Sequence, residues 1–214
     1  VLNRLGVPLV LVHGGGKPID RAMAEAGLTP KKVAGRRYTD DATLGIVVRV
    51  LGEINRGIAS RLTDLGVRSV SHSAAGSYPL IGERLLLPGI DLQPIDLGRV
   101  GKVNQVRLPA PLPAVPVVPS LALDTDGGWL NVNADTAASA VAGALKADKA
   151  IFLTDTPGVL RDRADPASLI PKLTEAQCRE LIAAGVIDGG MVPKVEACFE
   201  ALAAGANSAL ILDG

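Results

Sequence analysis

The sequence predicts an α/β protein with a largely parallel sheet, and three observations carry that expectation. Short apolar runs bounded by turn residues alternate with stretches of helical spacing along the whole chain. Pro8-Leu9-Val10-Leu11-Val12 has no polar break, as suits a strand covered on both faces. It leads through His13-Gly14-Gly15-Gly16 into helical spacing over residues 19–26, the strand, turn and helix step of a parallel unit. Backbone N–H groups laid bare at such a step hold an anion, a carboxylate as readily as a phosphate. A merely tight turn would use the same glycines. The stretch is neither a Walker A loop, because Pro18 follows Lys17, nor a GxGxxG fingerprint.

Composition narrows the function classes. At 214 residues and 48% hydrophobic, the chain can bury one good core, split at most into two lobes. Its 22 basic residues balance 22 acidic ones, so no global field draws it to nucleic acid or an anionic membrane. Aromatics make up 2%, too few for base-stacking platforms, and no apolar run is long enough to span a membrane. Cys178 and Cys198 both fall in helical patterns, which suits small buried residues in a reducing cytoplasm, although spacing alone leaves a bridge between them open.

Taken in order, residues 1–6 read as the tail of a helix closed by Gly6. Residues 35–40 form a polar connector, with Asp40 or Asp41 placed to cap a helix over residues 42–65 that Gly66 ends. A strand follows at 67–71. Residues 74–101, rich in Gly, Pro and Leu, predict short strands and turns, and residues 101–106 are extended again. Residues 103–106 and 115–118 both read as strands, yet Pro109, Pro111 and Pro113 bar a helix between them. Either these strands are not parallel neighbours, or residues are missing there. Residues 120–123 and 129–133 form a hairpin about Gly127-Gly128. Then come a helix of small residues over 136–145, a strand over 150–153, and a helix over 174–184. A last helix opens at Gly189-Gly190 with Val195, Cys198, Phe199 and Leu202 as its apolar face, before a strand over 208–212.

Several side chains point to chemistry. Lys194 lies in the first turn of the last helix, where the dipole disfavours a cation, behind two glycines that leave N–H groups open. That pairing suits a phosphoryl group, and a solvated surface lysine is the plainer alternative. Asn131 and Asn133 alternate with Val132 and so share a face beside Asp135 at a strand-to-helix junction, a polar site or a turn network. Asp155 and Gly158 follow a strand's carboxyl end, where open α/β sheets bind nucleotides and where a capped loop also fits. Arg37 can clamp a carboxylate with its fork. His13, after a buried strand, reads as a structural hydrogen-bonder before a base. No Ser-His-Asp constellation or metal-ligand spacing stands out.

Five motifs then occur in an order and spacing that resembles the amino acid kinase family. They are Val12-His13-Gly14-Gly15-Gly16, Gly35-Arg36-Arg37-Tyr38-Thr39-Asp40, Asn131-Val132-Asn133-Ala134-Asp135, Asp155-Thr156-Pro157-Gly158-Val159-Leu160 and Gly189-Gly190-Met191-Val192-Pro193-Lys194. Within the family they look like the branch that phosphorylates the γ-carboxylate of N-acetyl-L-glutamate in arginine biosynthesis. The resemblance implies a three-layer α/β/α sandwich around a central, mostly parallel sheet. It implies one domain over residues 1–214, with an acetylglutamate lobe over 1–146 and an ATP lobe over 147–214. Gly14, Gly15, Arg37, Asn131 and Asn133 would hold N-acetylglutamate. Asp155, Thr156, Pro157, Gly158, Val159, Leu160, Val186, Ile187, Asp188 and Gly190 would line the ATP site. Lys194 would stabilise the phosphoryl group in flight and Asp135 would orient the catalytic lysines, with Mg²⁺ accompanying ATP. The resemblance further implies a cytoplasmic homo-oligomer, dimer or hexamer, and a PII-type signalling protein as a partner of some members.

Three departures from the family pattern qualify the expectation. The family's opening strand, with a Lys-x-Gly-Gly motif, would precede Val1, and a further helix and strand would follow Gly214. The helix expected before Val115 is absent. Without that opening lysine these residues alone would make a poor kinase. Two rival readings follow: a kinase of a related carboxylate, such as an aminoadipate derivative or glutamate, and a non-catalytic regulator that binds nucleotide or acetylglutamate.

Overall fold

A computed structural model describes residues 6–33, 36–73, 78–89 and 93–214. The helix tail expected before Gly6 and the Gly35 end of the arginine motif lie outside them. The chain divides into two compact units, Val1–Ala137 and Ala138–Gly214.

In the first unit the parallel expectation holds. Strand β1 spans Leu11–His13 and lies at the sheet edge with Leu11 exposed and Val12 and His13 half-buried, so the strand expected over 8–12 and covered on both faces is corrected. It leads into helix α1 (Gly16–Glu25) and then the short hairpin β2 (Lys32–Val33) and β3 (Arg36–Arg37). Helix α2 (Asp41–Asp64) starts at Asp40, whose side chain accepts from the Thr43 N–H, the cap expected from the sequence. Strands β4 (Ser69–Ser71) and β7 (Val115–Pro119) complete a parallel sheet ordered β1-β7-β4. All five residues of β7 are buried, as a central parallel strand requires. Helix α2 packs on β4 and β7, and its Val47, Val50 and Leu51 meet Ile19, Ala22 and Met23 of α1 in one cluster with Leu121. The i, i+3, i+4 spacing on both helices produces that seam, and each fully buried large side chain in it contributes about 1.5–3 kcal/mol.

Residues 78–89 and 93–101 correct the sequence reading, whose remaining positions 74–77 and 90–92 lie outside the described residues. In place of short strands and turns, they enter two long ones, β5 (Leu80–Leu87) and β6 (Ile95–Val106). With the hairpin β8 (Leu121–Leu123) and β9 (Trp129–Val132) they close a barrel in the order β5-β6-β9-β8. Register shifts at Ile81/Gly82 and Arg84/Leu86 break the period of two that betrays a strand, so the pattern looked irregular. The 103–106 puzzle also resolves here. Strand β6 belongs to the barrel and β7 to the parallel sheet, so no crossover between neighbours is needed.

Helix α3 (Ala134–Ala144) begins in the first unit and runs into the second. There β10 (Ala150–Thr154) and β11 (Ala209–Asp213) pair in parallel, and α4 (Glu175–Ala183) and α5 (Met191–Ala203) lie between them in sequence. Small residues set the packing: Ala142, Ala150, Phe152, Ala197, Ala201 and Ala206 form one core cluster. The Ser139 hydroxyl donates to the Ala197 carbonyl at 2.7 Å. The buried face of α5 is therefore Val195, Ala197 and Ala201, while Leu202, expected inside, is exposed. The predicted Cys198 and Phe199 are half-buried and pack against the clusters on that side. Neither cysteine is in a disulfide, which closes the question of a bridge.

Candidate active site

In the first unit the strands end together, and one buried side chain ties them. Asn55 on α2 is fully inaccessible. Its amide nitrogen donates to His13 Nε2 at 3.0 Å, at the end of β1, and to the Val117 carbonyl of β7 at 2.9 Å. Its Oδ1 accepts from the Ser71 hydroxyl of β4 at 2.5 Å, and Ser71 meets Ser73 at 2.8 Å. His13 Nδ1 in turn lies 3.1 Å from the Gly14 carbonyl oxygen. Burial pushes the His13 pKa below its usual value, against a smaller opposing effect of that carbonyl.

Beyond His13 the chain turns at Gly14 and Gly15. Gly15 is the N-cap of α1 and offers no side-chain cap, so the first-turn N–H groups of the helix keep their capacity for an anion. Close packing requires both glycines. A Cβ on Gly14 would stand 3.0 Å from Ala134 Cβ at the start of α3, and one on Gly15 would stand 2.9 Å from Ile54 Cδ1. Buried Ser120 joins this turn to β9: its N–H donates to the His13 carbonyl and its own carbonyl accepts from the Val132 N–H, both at 3.0 Å. The Asn131-to-Asp135 motif is thereby brought beside Gly14.

The motif's residues divide their work. Asn133 caps α3, its Oδ1 accepting from the N–H groups of Asp135 at 2.9 Å and Thr136 at 3.1 Å. Asp135 sits in the first turn, where a carboxylate favours the helix dipole. The Asn131 amide donates to the buried Thr39 hydroxyl, which donates to the Arg37 carbonyl, each at 3.1 Å. Thr39 bridges to Gly98 of β6, where φ is +72° and any Cβ would overlap the Thr39 carbonyl oxygen. The guanidinium of Arg37 lies 2.6 Å from Asp20 Oδ1 and is 11% exposed. An arginine carries five N–H donors, so that ion pair leaves a fork for a second anion.

In the second unit, Asp155, Thr156, Pro157 and Gly158 turn away from the carboxyl end of β10, with φ of +143° at Gly158. Val159 is buried, and Leu160 bridges to Leu169. Val159 and Ile187 share an apolar cluster with Cys178 and with Val195 of α5, which brings the 155–160 and 186–188 stretches to one place. Asp188 is held by Arg163 at 2.6 Å. Gly190 caps α5 without a side-chain bond, and Lys194 follows half-buried within the first turn. Asp135 and Lys194 thus fall in different units. Sequence reasoning missed Asn55, Thr39 and Asp20. Position 55 could have been found, because it repeats Val47 and Leu51 at steps of four and so puts a polar group on the buried stripe.

The family model for the amino acid kinases matches residues 1–213. The chain belongs to the amino acid kinase family. Among its relatives in the family, the acetylglutamate kinase of Methanosphaera stadtmanae is 41% identical over 225 aligned positions, covering 100% of this chain and 76% of the relative. The acetylglutamate kinase of Anaeromyxobacter dehalogenans is 42% identical, covering 95% of this chain and 79% of its own. Among solved structures, that of smu.665 from Streptococcus mutans superposes with a TM-score of 0.80 at 30% identity, covering 99% of this chain and 84% of that one. The α/β architecture described above is the fold of this amino acid kinase family.

Proposed function

We propose that the protein is an ATP-dependent kinase that converts the γ-carboxylate of N-acetyl-L-glutamate to an acyl phosphate, in arginine biosynthesis. The observation that carries this reading is the identity of about 41% to acetylglutamate kinases over the whole chain, in a family of kinases that use ATP. The first unit supplies a site suited to the acceptor: Gly14 and Gly15 with their N–H groups, Arg37 with its fork, and Asn131 and Asn133 beside them. The second supplies one suited to the nucleotide: Asp155 to Leu160, Val186 to Asp188, and Gly190.

The chemistry asks little covalent work of the protein. A γ-carboxylate oxygen attacks the γ-phosphorus, the bond to the β,γ-bridging oxygen breaks, and ADP leaves with the electron pair. Catalysis is positioning and neutralisation. In this proposal Lys194 neutralises the phosphoryl oxygens from the uncapped start of α5, and Asp135, in the first turn of α3, is the second catalytic side chain. Among the described residues no three His, Cys, Asp or Glu side chains gather as a metal group. In this proposal Mg²⁺ would be brought in on the ATP phosphates, with a carboxylate such as Asp155 to hold it. Its charge would offset that of the phosphates.

The remaining assignments belong to the same proposal. Two cysteines outside any disulfide suit a cytoplasmic setting, and no described helix is long and apolar enough to cross a membrane. Homo-oligomeric assembly and a single functional domain made of both units complete it. The test is acceptor dependence in the full-length protein: ATP turnover should require N-acetylglutamate and fall at least tenfold with glutamate or aspartate. Equal turnover with all three would defeat the assignment.

A further inference from the structure

We infer that Asn55 and His13 are positioning residues for the acceptor: Asn55 fixes the imidazole as its Nδ1–H tautomer, and that tautomer holds the Gly14–Gly15 peptide in the orientation that presents its N–H to the substrate carboxylate. The inference rests on the reading that Gly14 and Gly15 hold the acceptor.

Each link forces the next. The Val117 carbonyl can only accept, so the group of Asn55 that lies 2.9 Å from it must be the amide nitrogen. Turning the amide would set Oδ1 against that carbonyl oxygen and the amide nitrogen toward the Ser71 hydroxyl. With the nitrogen so placed, its second hydrogen points at His13 Nε2, 3.0 Å away, which must then be the unprotonated ring nitrogen. The ring proton therefore sits on Nδ1, where it donates to the Gly14 carbonyl at 3.1 Å. Protonating the imidazole would bring two donors face to face at Asn55, and the low pKa of this buried ring agrees with that. Across a trans peptide the C=O and the following N–H point in opposite directions. Holding the Gly14 oxygen therefore aims the Gly15 N–H. Two glycines in succession have little stiffness of their own, so a fixed donor beside them supplies the preorganisation that an anion site needs.

The arrangement also explains why a polar residue occupies the apolar stripe of α2. Asn55 bonds one group on each of the three parallel strands, at the last residues of β1 and β4 and at the middle of β7. A fully satisfied buried network specifies one geometry in a way that an apolar side chain would not.

Two measurements test it. Long-range ¹⁵N–¹H NMR of the ligand-free wild type should show His13 with a protonated Nδ1 and a bare Nε2 at neutral pH. An Nε2–H tautomer, or a mixture, overturns the inference whatever the kinetics, and this arm needs no variant to fold. In steady-state kinetics, His13→Leu should raise the KM for N-acetylglutamate at least tenfold and leave the KM for ATP within twofold. His13→Asn, whose amide nitrogen can stand where Nδ1 stood, should recover most of that loss. Asn55→Ala should raise the acceptor KM severalfold and leave His13 without a single tautomer. Equal rises in both KM values, or no advantage of His13→Asn over His13→Leu, would point to general loosening and sink the inference. Wild-type turnover with an unchanged acceptor KM in His13→Leu rejects the inference alone, whereas no wild-type turnover of N-acetylglutamate rejects the functional reading beneath it.

Discussion

Replacing Gly15 by alanine puts one methyl group where the glycine turn meets helix α2, and the structure sets the size of the penalty. The added carbon would lie 2.9 Å from Ile54 Cδ1 and 3.0 Å from Leu51 Cδ2, against about 3.5–4.0 Å for carbons at rest. Leu51 is fully buried and can shift only by pressing on the α1 seam, while Ile54 is partly exposed and can turn aside. One yielding and one unyielding neighbour put the cost at about 1.5 kcal/mol, within the range of about 1–3 for overpacking. With a urea m-value of about 3 kcal/mol/M, that is a fall of about 0.5 M in the midpoint. Trp129 is the sole tryptophan and packs against the same cluster, so its fluorescence reports the first unit directly. Gly16→Ala is the control: a Cβ there meets nothing within 4 Å, at the first position of α1, so the midpoint should hold or rise slightly. If both variants moved the midpoint alike, or Gly15→Ala raised it, the close approach of α2 to this turn would be refuted.

Two further perturbations probe stability. Gly143→Ala should cost more than Gly15→Ala, about 2–3 kcal/mol, because its methyl would overlap Ala204 Cβ and lie 3.0 Å from the Ala204 carbonyl oxygen. No side-chain end can swing away there, and urea unfolding followed by circular dichroism should show it. The pH dependence has a fixed sign at His13. Its folded pKa is lowered from 6.5 by burial, so below that value the unfolded chain binds a proton that the folded chain refuses. The associated stability is complete above about pH 6.5 and is lost as pH falls through and below it; unfolding of His13→Asn should lack that part of the slope, and an identical slope would show that the ring does not resist protonation.

What could be read from the sequence and what could not differ for physical reasons. The α2 helix with a cap at Asp40 or Asp41 and the β10 and β11 strands were legible because apolar runs and cap residues are local signals. Strand β1 was legible as a strand but not in its burial, because an apolar run does not tell a central strand from an edge strand. The barrel was not, because β5 and β6 carry two register shifts and an uninterrupted Leu85-Leu86-Leu87, which erase the alternation. On α5 the predicted Val195, Cys198 and Phe199 do pack inward, but Leu202 is exposed and the missed Ala197 and Ala201 are buried, since leucine outranks alanine by hydrophobicity in a sequence pattern. In the site, glycine turns and motif spacings were legible as chemistry. The bonds that hold them were not: Arg37 pairs with Asp20, and His13 with Asn55 forty-two positions away, contacts that only the tertiary fold creates.

Whether the protein transfers a phosphoryl group or only binds nucleotide and acceptor turns on Lys194. If it meets charge that develops in flight, its contribution is larger in the transition state than in the ground state. Lys194→Ala in the full-length protein should then lower kcat by roughly 10²-fold or more, as for loss of an electrostatic donor in a water-poor site. ATP affinity should change by less than about tenfold, since backbone N–H groups still hold the phosphates, and the unfolding midpoint should stay put. An unchanged kcat, or a loss matched by unfolding, would contradict the assignment and leave a binding protein in place of the kinase.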